Sequence, residues 1–164
     1  MKKGTRGEAQ VYVSAPPEKV YDLVSDVTRM GEWSPETRQC EWIGGATGPT
    51  VGARFKGTNR RGPVRWSTKP EVVAAEPGRE FAFVTNLVGF NRPMTKWTYR
   101  FERASDGGTD MTESFEMVND LPWYIAFGDR YVMRIKDRKA DLEGAMQQTL
   151  ERIKAAAEGS VPSA

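Results

Sequence analysis

Apolar and polar positions alternate over residues 8–14, with Ala9, Val11 and Val13 on one side, the period of a strand with one buried face. Ser14-Ala15-Pro16-Pro17-Glu18 then reads as a helix start, with proline in the first turn and Ser14 placed to cap free amides. Val20, Leu23, Val24 and Val27 recur at helical spacing, and Met30 and Trp33 extend the apolar side into a second short helix ended by Ser34-Pro35. Strands are predicted at about 38–43, 52–60, 64–75, 79–85, 95–103 and 109–118. Their joints are turn-forming: Gly44 to Pro49, Arg60-Arg61-Gly62-Pro63, Glu76-Pro77-Gly78 and Ser105-Asp106-Gly107-Gly108. The loop at 86–94 is unusually apolar, with Leu87, Val88 and Phe90. After Leu121-Pro122 the period becomes helical, and Val132, Ile135, Leu142, Met146 and Ile153 form one stripe. That pattern predicts an unbroken helix to about Ala157.

Short connections favour an antiparallel sheet, and one apolar sheet face needs one cover, which the last helix supplies. The predicted fold class is therefore α+β. The aromatic residues share strand faces: Phe81 with Phe83, and Trp97 with Tyr99 and Phe101, preceded by Phe55 and Trp66. Such a face either encloses a guest or fills a solid core.

Length and composition suit one domain over residues 8–157, with loose ends at 1–7 and 158–164. The net charge of +2 is small and the cations are interleaved with acids, so no nucleic-acid partner is expected. Cys40 is the only cysteine, which excludes an intrachain disulfide and suggests a reducing, cytoplasmic setting. No apolar run reaches about 18 residues, so no stable membrane insertion is expected. The chain has no histidine. Histidine triads and zinc-water chemistry as usually built are excluded, and neither a metal nor an organic cofactor is implied. Chemistry here falls to carboxylates, tyrosine, arginine, lysine or water.

Ser14-Ala15-Pro16-Pro17-Glu18-Lys19-Val20-Tyr21, leading into Val24-Ser25-Asp26, opens a series of stretches with a shared likeness. It continues in Gly31-Glu32-Trp33-Ser34-Pro35-Glu36, Val51-Gly52-Ala53-Arg54-Phe55, Val73 through Phe81, and Thr109 through Glu116. In this order they resemble the START-like (SRPBCC) superfamily, and within it the polyketide cyclase/dehydrase-like proteins. The resemblance covers about residues 8–157. It implies a helix-grip fold: a curved seven-stranded antiparallel sheet around a long C-terminal helix, two short helices after the first strand, and a deep cavity. Members bind lipids, sterols, polyketides or plant hormones, and some cyclise or dehydrate polyketides. The family has no fixed catalytic motif, so no role transfers residue by residue.

Candidate ligand contacts are Phe55, Trp66, Phe83, Trp97, Tyr99 and Phe101 on the sheet, with Ile135 on the helical stripe. Phe90 and Trp123 belong to apolar segments that either gate the cavity or pack on each other or a partner chain. Strand parity with Phe115 and Met117 puts Glu113 on the apolar face, where it is either a perturbed carboxyl or a rim residue paired with arginine. Glu113 and Tyr99 are the candidate proton carriers. Arg138 and Lys139 are expected to reach the surface along their stems, and Arg60, Arg61 and Arg65 to form a solvated hairpin tip. The expected partner is a small hydrophobic molecule. A cyclase or dehydratase in the same cavity, or a protein-interaction or chaperone-activating module, are the alternatives.

Overall fold

Alternation becomes antiparallel pairing over most of the chain. The computed structural model describes residues 1–86, 89 and 92–159. Its strands are β1 (Arg6–Val13), β2 (Thr37–Ile43), β3 (Arg54–Arg61), β4 (Val64–Thr68), β5 (Glu71–Glu76), β6 (Glu80–Thr85), β7 (Thr95–Arg103) and β8 (Thr109–Met117). They form one curled sheet in the order β1-β8-β7-β6-β5-β3-β2, with β4 paired to β3 off this path. Register shifts between Thr37 and Gln39 in β2, and between Val72 and Ala74 in β5, add local twist to one half of the sheet.

Two short helices follow β1, α1 (Pro17–Ser25) and α2 (Met30–Trp33), joined by a 3-10 turn at Val27–Arg29. Pro16 rather than Ser14 is the cap residue of α1, and no side chain caps it. The Ser14 amide instead donates to Glu158 at 2.9 Å, tying the end of β1 to the far end of the last helix. The expected loose N-terminus is also tied down. Arg6 and Gly7 belong to β1, the Gly4 amide donates to the Met117 carbonyl at 2.7 Å, and the Leu121 amide to the Met1 carbonyl at 2.9 Å.

Two elements depart from the sequence pattern. The strand predicted over 64–75 is cut in two around Lys69 and Pro70. Proline has no amide to donate, so the ladder is interrupted there and only the Pro70 carbonyl engages β3, accepting from Phe55. The predicted single terminal helix is likewise two, α3 (Trp123–Tyr131) and α4 (Arg138–Ala157). Arg134 takes a left-handed conformation (φ 57) that ends the first helical path, and the Ile135 amide turns back to the Asp129 carbonyl. Asp137 then starts the second, its side chain accepting from the Ala140 amide. An apolar stripe cannot reveal such a break, because Ile135 stays buried through it.

The core joins Val13, Val20, Val24 and Val27 to Leu150, Ile153 and Ala157 of α4 and to the concave sheet face. Phe81 and Phe101 are sealed by Tyr21, whose ring meets theirs edge-on at 6.4 and 5.8 Å. The aromatic face is thus solid at the α1 end.

Gly31 sits where α2 crosses β2, and a Cβ there would lie 2.5 Å from the backbone carbonyl oxygen of Arg38. Gly31→Ala must separate the two elements, which overpacking data price at roughly 1–3 kcal/mol. Urea unfolding of the variant is expected to show that loss; unchanged stability would mean the crossing is loose.

Candidate functional site

At the other end of the sheet the same face is hollow. A cavity of about 380 Å³ lies between the sheet and α4, inside the range of about 300–1,000 Å³ usual for small-molecule sites. Phe55 from β3, Phe83 from β6 and Trp97 from β7 form its aromatic wall, with Leu142 and Met146 of α4 opposite. Pairing explains the grouping: Phe83 lies opposite Trp97 in the ladder, and the Phe55 ring meets Phe83 at 5.2 Å.

Two buried polar pairs are set into the lining: Thr37 donates to Asn59 Oδ1 at 3.0 Å, and Tyr99 meets Glu113. Tyr99 and Glu113 are direct cross-strand partners on β7 and β8, and the Tyr99 hydroxyl donates to Glu113 Oε1 at 2.8 Å. Glu113 is 3% exposed and turned inward, and among the described residues no arginine meets it. Its second oxygen, Oε2, is buried without a hydrogen-bond partner among the described residues. Burial pushes the Glu113 carboxyl up to about 8, against a smaller lowering by the Tyr99 hydrogen bond. Burial, and then the adjacent Glu113, hold the Tyr99 phenol well above its ordinary range. Near neutral pH the pair is a phenol donating to a neutral carboxylic acid. Cys40 also lines the cavity as a buried thiol, pushed up by burial to about 12 and inert as a nucleophile.

Charged residues gather on one side of the cavity, where the loop before β2, the β3–β4 hairpin, α3 and α4 meet. Arg61 grips Asp141 with two hydrogen bonds, at 2.6 and 2.7 Å, and reaches Glu36 at 3.1 Å. Arg138 approaches Asp141 at 3.2 Å, Glu36 at 3.6 Å and Asp129 at 3.7 Å. The Arg61 hydrogen bonds hold Asp141 below the usual carboxylate range, whereas burial raises Asp129 despite Arg138. Arg61 is therefore no solvated tip, and Arg138 does not reach for solvent. Arg61 is held by acids distant in the chain, and Arg138 by Asp141 one helical turn along together with the more distant Glu36 and Asp129. Lys139 does point outward, half exposed and paired with Glu143.

The expected contacts divide by place. Phe55, Trp66, Phe83, Trp97 and Tyr99 line the cavity. Phe101 packs on Tyr21 in the solid half, and Ile135 is buried outside the lining. Trp123 is 78% exposed on the outer side of α3 and also stands apart from the lining. Phe90, with Leu87 and Val88, lies outside the described residues. Sequence reasoning passed over Glu36, Asp129 and Asp141. The only local trace was the Arg138–Asp141 spacing of one helical turn, which marks a pair without placing it at a cavity.

Comparison with known proteins agrees with this architecture. The family model described as polyketide cyclase / dehydrase and lipid transport matches residues 5–158. A Polyketide_cyc-like protein from Corynebacterium glutamicum is 34% identical, with 99% of this chain and 96% of that one covered, at a TM-score of 0.64. Major latex-like protein 151 of Panax ginseng shares the fold at 14% identity, with 93% and 97% covered and a TM-score of 0.65. The di-domain ARO/CYC protein of the steffimycin biosynthetic pathway does so at 15% identity, with 94% of this chain and 45% of that one covered and a TM-score of 0.63. No functionally curated protein matches. With a family model spanning nearly its whole length and a helix-grip architecture around a cavity, the chain belongs to the polyketide cyclase / dehydrase and lipid transport family.

Proposed function

We propose that the chain binds a small, largely apolar molecule bearing an acceptor oxygen, such as a ketone, ether or hydroxyl, inside the cavity. The observation that carries this reading is the unpartnered Oε2 of Glu113, buried beside Trp97, Phe55 and Phe83 in a cavity whose other polar groups lie elsewhere in the lining. A buried polar atom left unsatisfied is costly, so a guest oxygen accepting the Glu113 proton would recover that loss. Apolar burial at about 25 cal/mol per Å² would supply most of the affinity, reduced by ordering costs. The Tyr99 hydrogen bond would fix which oxygen is free to donate. A carboxylate guest would be disfavoured, since it places negative charge beside an acid that must then stay protonated.

Turnover is the second reading, and the position of Glu113 favours it. A buried acid titrating near 8 beside an aromatic wall is suited to protonating a carbonyl as it reacts. Under this reading Glu113→Gln and Tyr99→Phe would abolish product formation from a reactive polyketone while the variants still retained it as a guest.

Binding is tested with Nile red, a neutral apolar dye carrying a ring carbonyl, and by mild-ionisation mass spectrometry of natively purified protein. Dye uptake is expected in wild type, weakened about three- to tenfold in Glu113→Leu, which keeps the volume and removes the donor. No uptake, and no co-purified lipophile, would refute the proposal.

A second prediction concerns pH. The folded-state value of about 8 lies above the ordinary value of 4.5, so between them the folded protein holds a proton that the unfolded chain has lost. Stability from Glu113 is therefore fully present below the ordinary value and declines as pH rises to about 8, by about 1 kcal/mol per pH unit. Urea unfolding across this window should show wild type losing stability relative to Glu113→Gln. A flat difference would mean that Glu113 titrates as an exposed carboxyl.

A further inference from the structure

We propose that α3 is a docking surface for an anionic lipid bilayer. The helix presents apolar groups on both sides. Ile125 and Asp129 face inward and line the cavity, joined by Met133 just past the helix end. Trp123, Phe127 and Tyr131, one turn apart on the opposite side, are 78%, 57% and 63% exposed, and Val132 beside them is 57% exposed. Isolated exposed apolar residues are ordinary, but a contiguous aromatic row on one helix marks an interaction surface.

The charges around that row choose the occupant. Between Pro122 and Lys136 the exposed basic groups are Arg130, Arg134 and Lys136. The one acid in this stretch, Asp129, is buried against Arg138. The flanking acids are engaged: Asp120 accepts from the Lys3 amide, and Asp137 caps α4. The Arg130 guanidinium lies 6.0 Å from the Tyr131 ring, so cation and aromatic are presented together. Tryptophan and tyrosine suit the headgroup boundary, with an apolar body and a polar tip, and basic side chains at its edge meet anionic headgroups. A second copy of the chain docked row to row would bring like charges together.

Docking in this orientation sets one wall of the cavity against the bilayer, a consequence that rests on the cavity's holding a guest. The surface itself does not depend on that reading. A lipophile would then pass between bilayer and cavity along α3 without crossing bulk water.

The test is co-sedimentation of the full chain with phosphatidylcholine vesicles, with and without phosphatidylglycerol at about one part in three. Binding is expected to be at least about tenfold stronger to the anionic vesicles and to weaken as salt rises. The double variant Trp123→Ala/Phe127→Ala, and separately Arg130→Gln/Arg134→Gln, should each lose about tenfold while keeping the wild-type circular dichroism spectrum. Three results would overturn the proposal: no vesicle binding, equal binding to neutral and anionic vesicles, or a dimer in analytical ultracentrifugation that the Trp123→Ala/Phe127→Ala change disperses. Nile red uptake is read separately, so protein that docks but takes up no dye would leave this surface standing and reject only the guest.

Discussion

The paired hydrogen bonds between Arg61 and Asp141 fix how far the amino-terminal half of α4 stands from the sheet. A hollow beneath a helix deprives its lining of dispersion contacts, so the helix tends to settle onto the sheet unless something holds it. Further along α4 nothing resists settling, and Leu150 and Ile153 lie fully buried on the sheet. At its start, two guanidinium groups and three carboxylates occupy the gap, and they cannot be squeezed into the apolar interior. The cavity therefore lies on the charged side of the domain, and the solid aromatic core on the other.

The same network explains the break between α3 and α4. Asp129 on α3 and Asp141 on α4 both face Arg138, which an unbroken straight helix would not allow, because twelve residues are more than three turns apart. Folding the chain back at Arg134 brings both carboxylates to one cation. α3 becomes a separate flap with an inner side on the cavity and an outer side in water.

Most of the strand layout was legible because a strand's period of two needs only local alternation. Glu113 was readable for the same reason: parity with Phe115 placed it inside, and pairing with Tyr99 needed only the β7–β8 register. Other features were hidden because they depend on residues distant in the chain. Arg61 and Asp141 are eighty positions apart, and nothing near either of them announces the other. Phe81 and Phe83 share one strand face, yet one is sealed against Tyr21 and the other lines the cavity. The pattern of β6 alone could not separate them, because the difference is made by α1 arriving from elsewhere. Ser14 had the chemistry of a cap, but the Ser14 amide is drawn to Glu158, a partner supplied by the end of α4.

Charge and cavity chemistry together narrow the class of guest. The ionic groups are largely satisfied among themselves, and each of the two arginines is matched by acids. The unspent polar capacity lies instead at Glu113, deep on the β7–β8 wall and neutral near pH 7. Under the proposed reading a guest would be anchored by one hydrogen bond donated from Glu113 and otherwise held mainly by shape and apolar contact. Such a site discriminates poorly between frames of similar size, since a methylene more or less changes binding only modestly. It would favour a guest with an acceptor oxygen over one without, because without that oxygen the acid stays desolvated and unpartnered. On that reading the selectivity of the cavity would rest on a single proton, whose position the Tyr99 hydrogen bond to Glu113 sets.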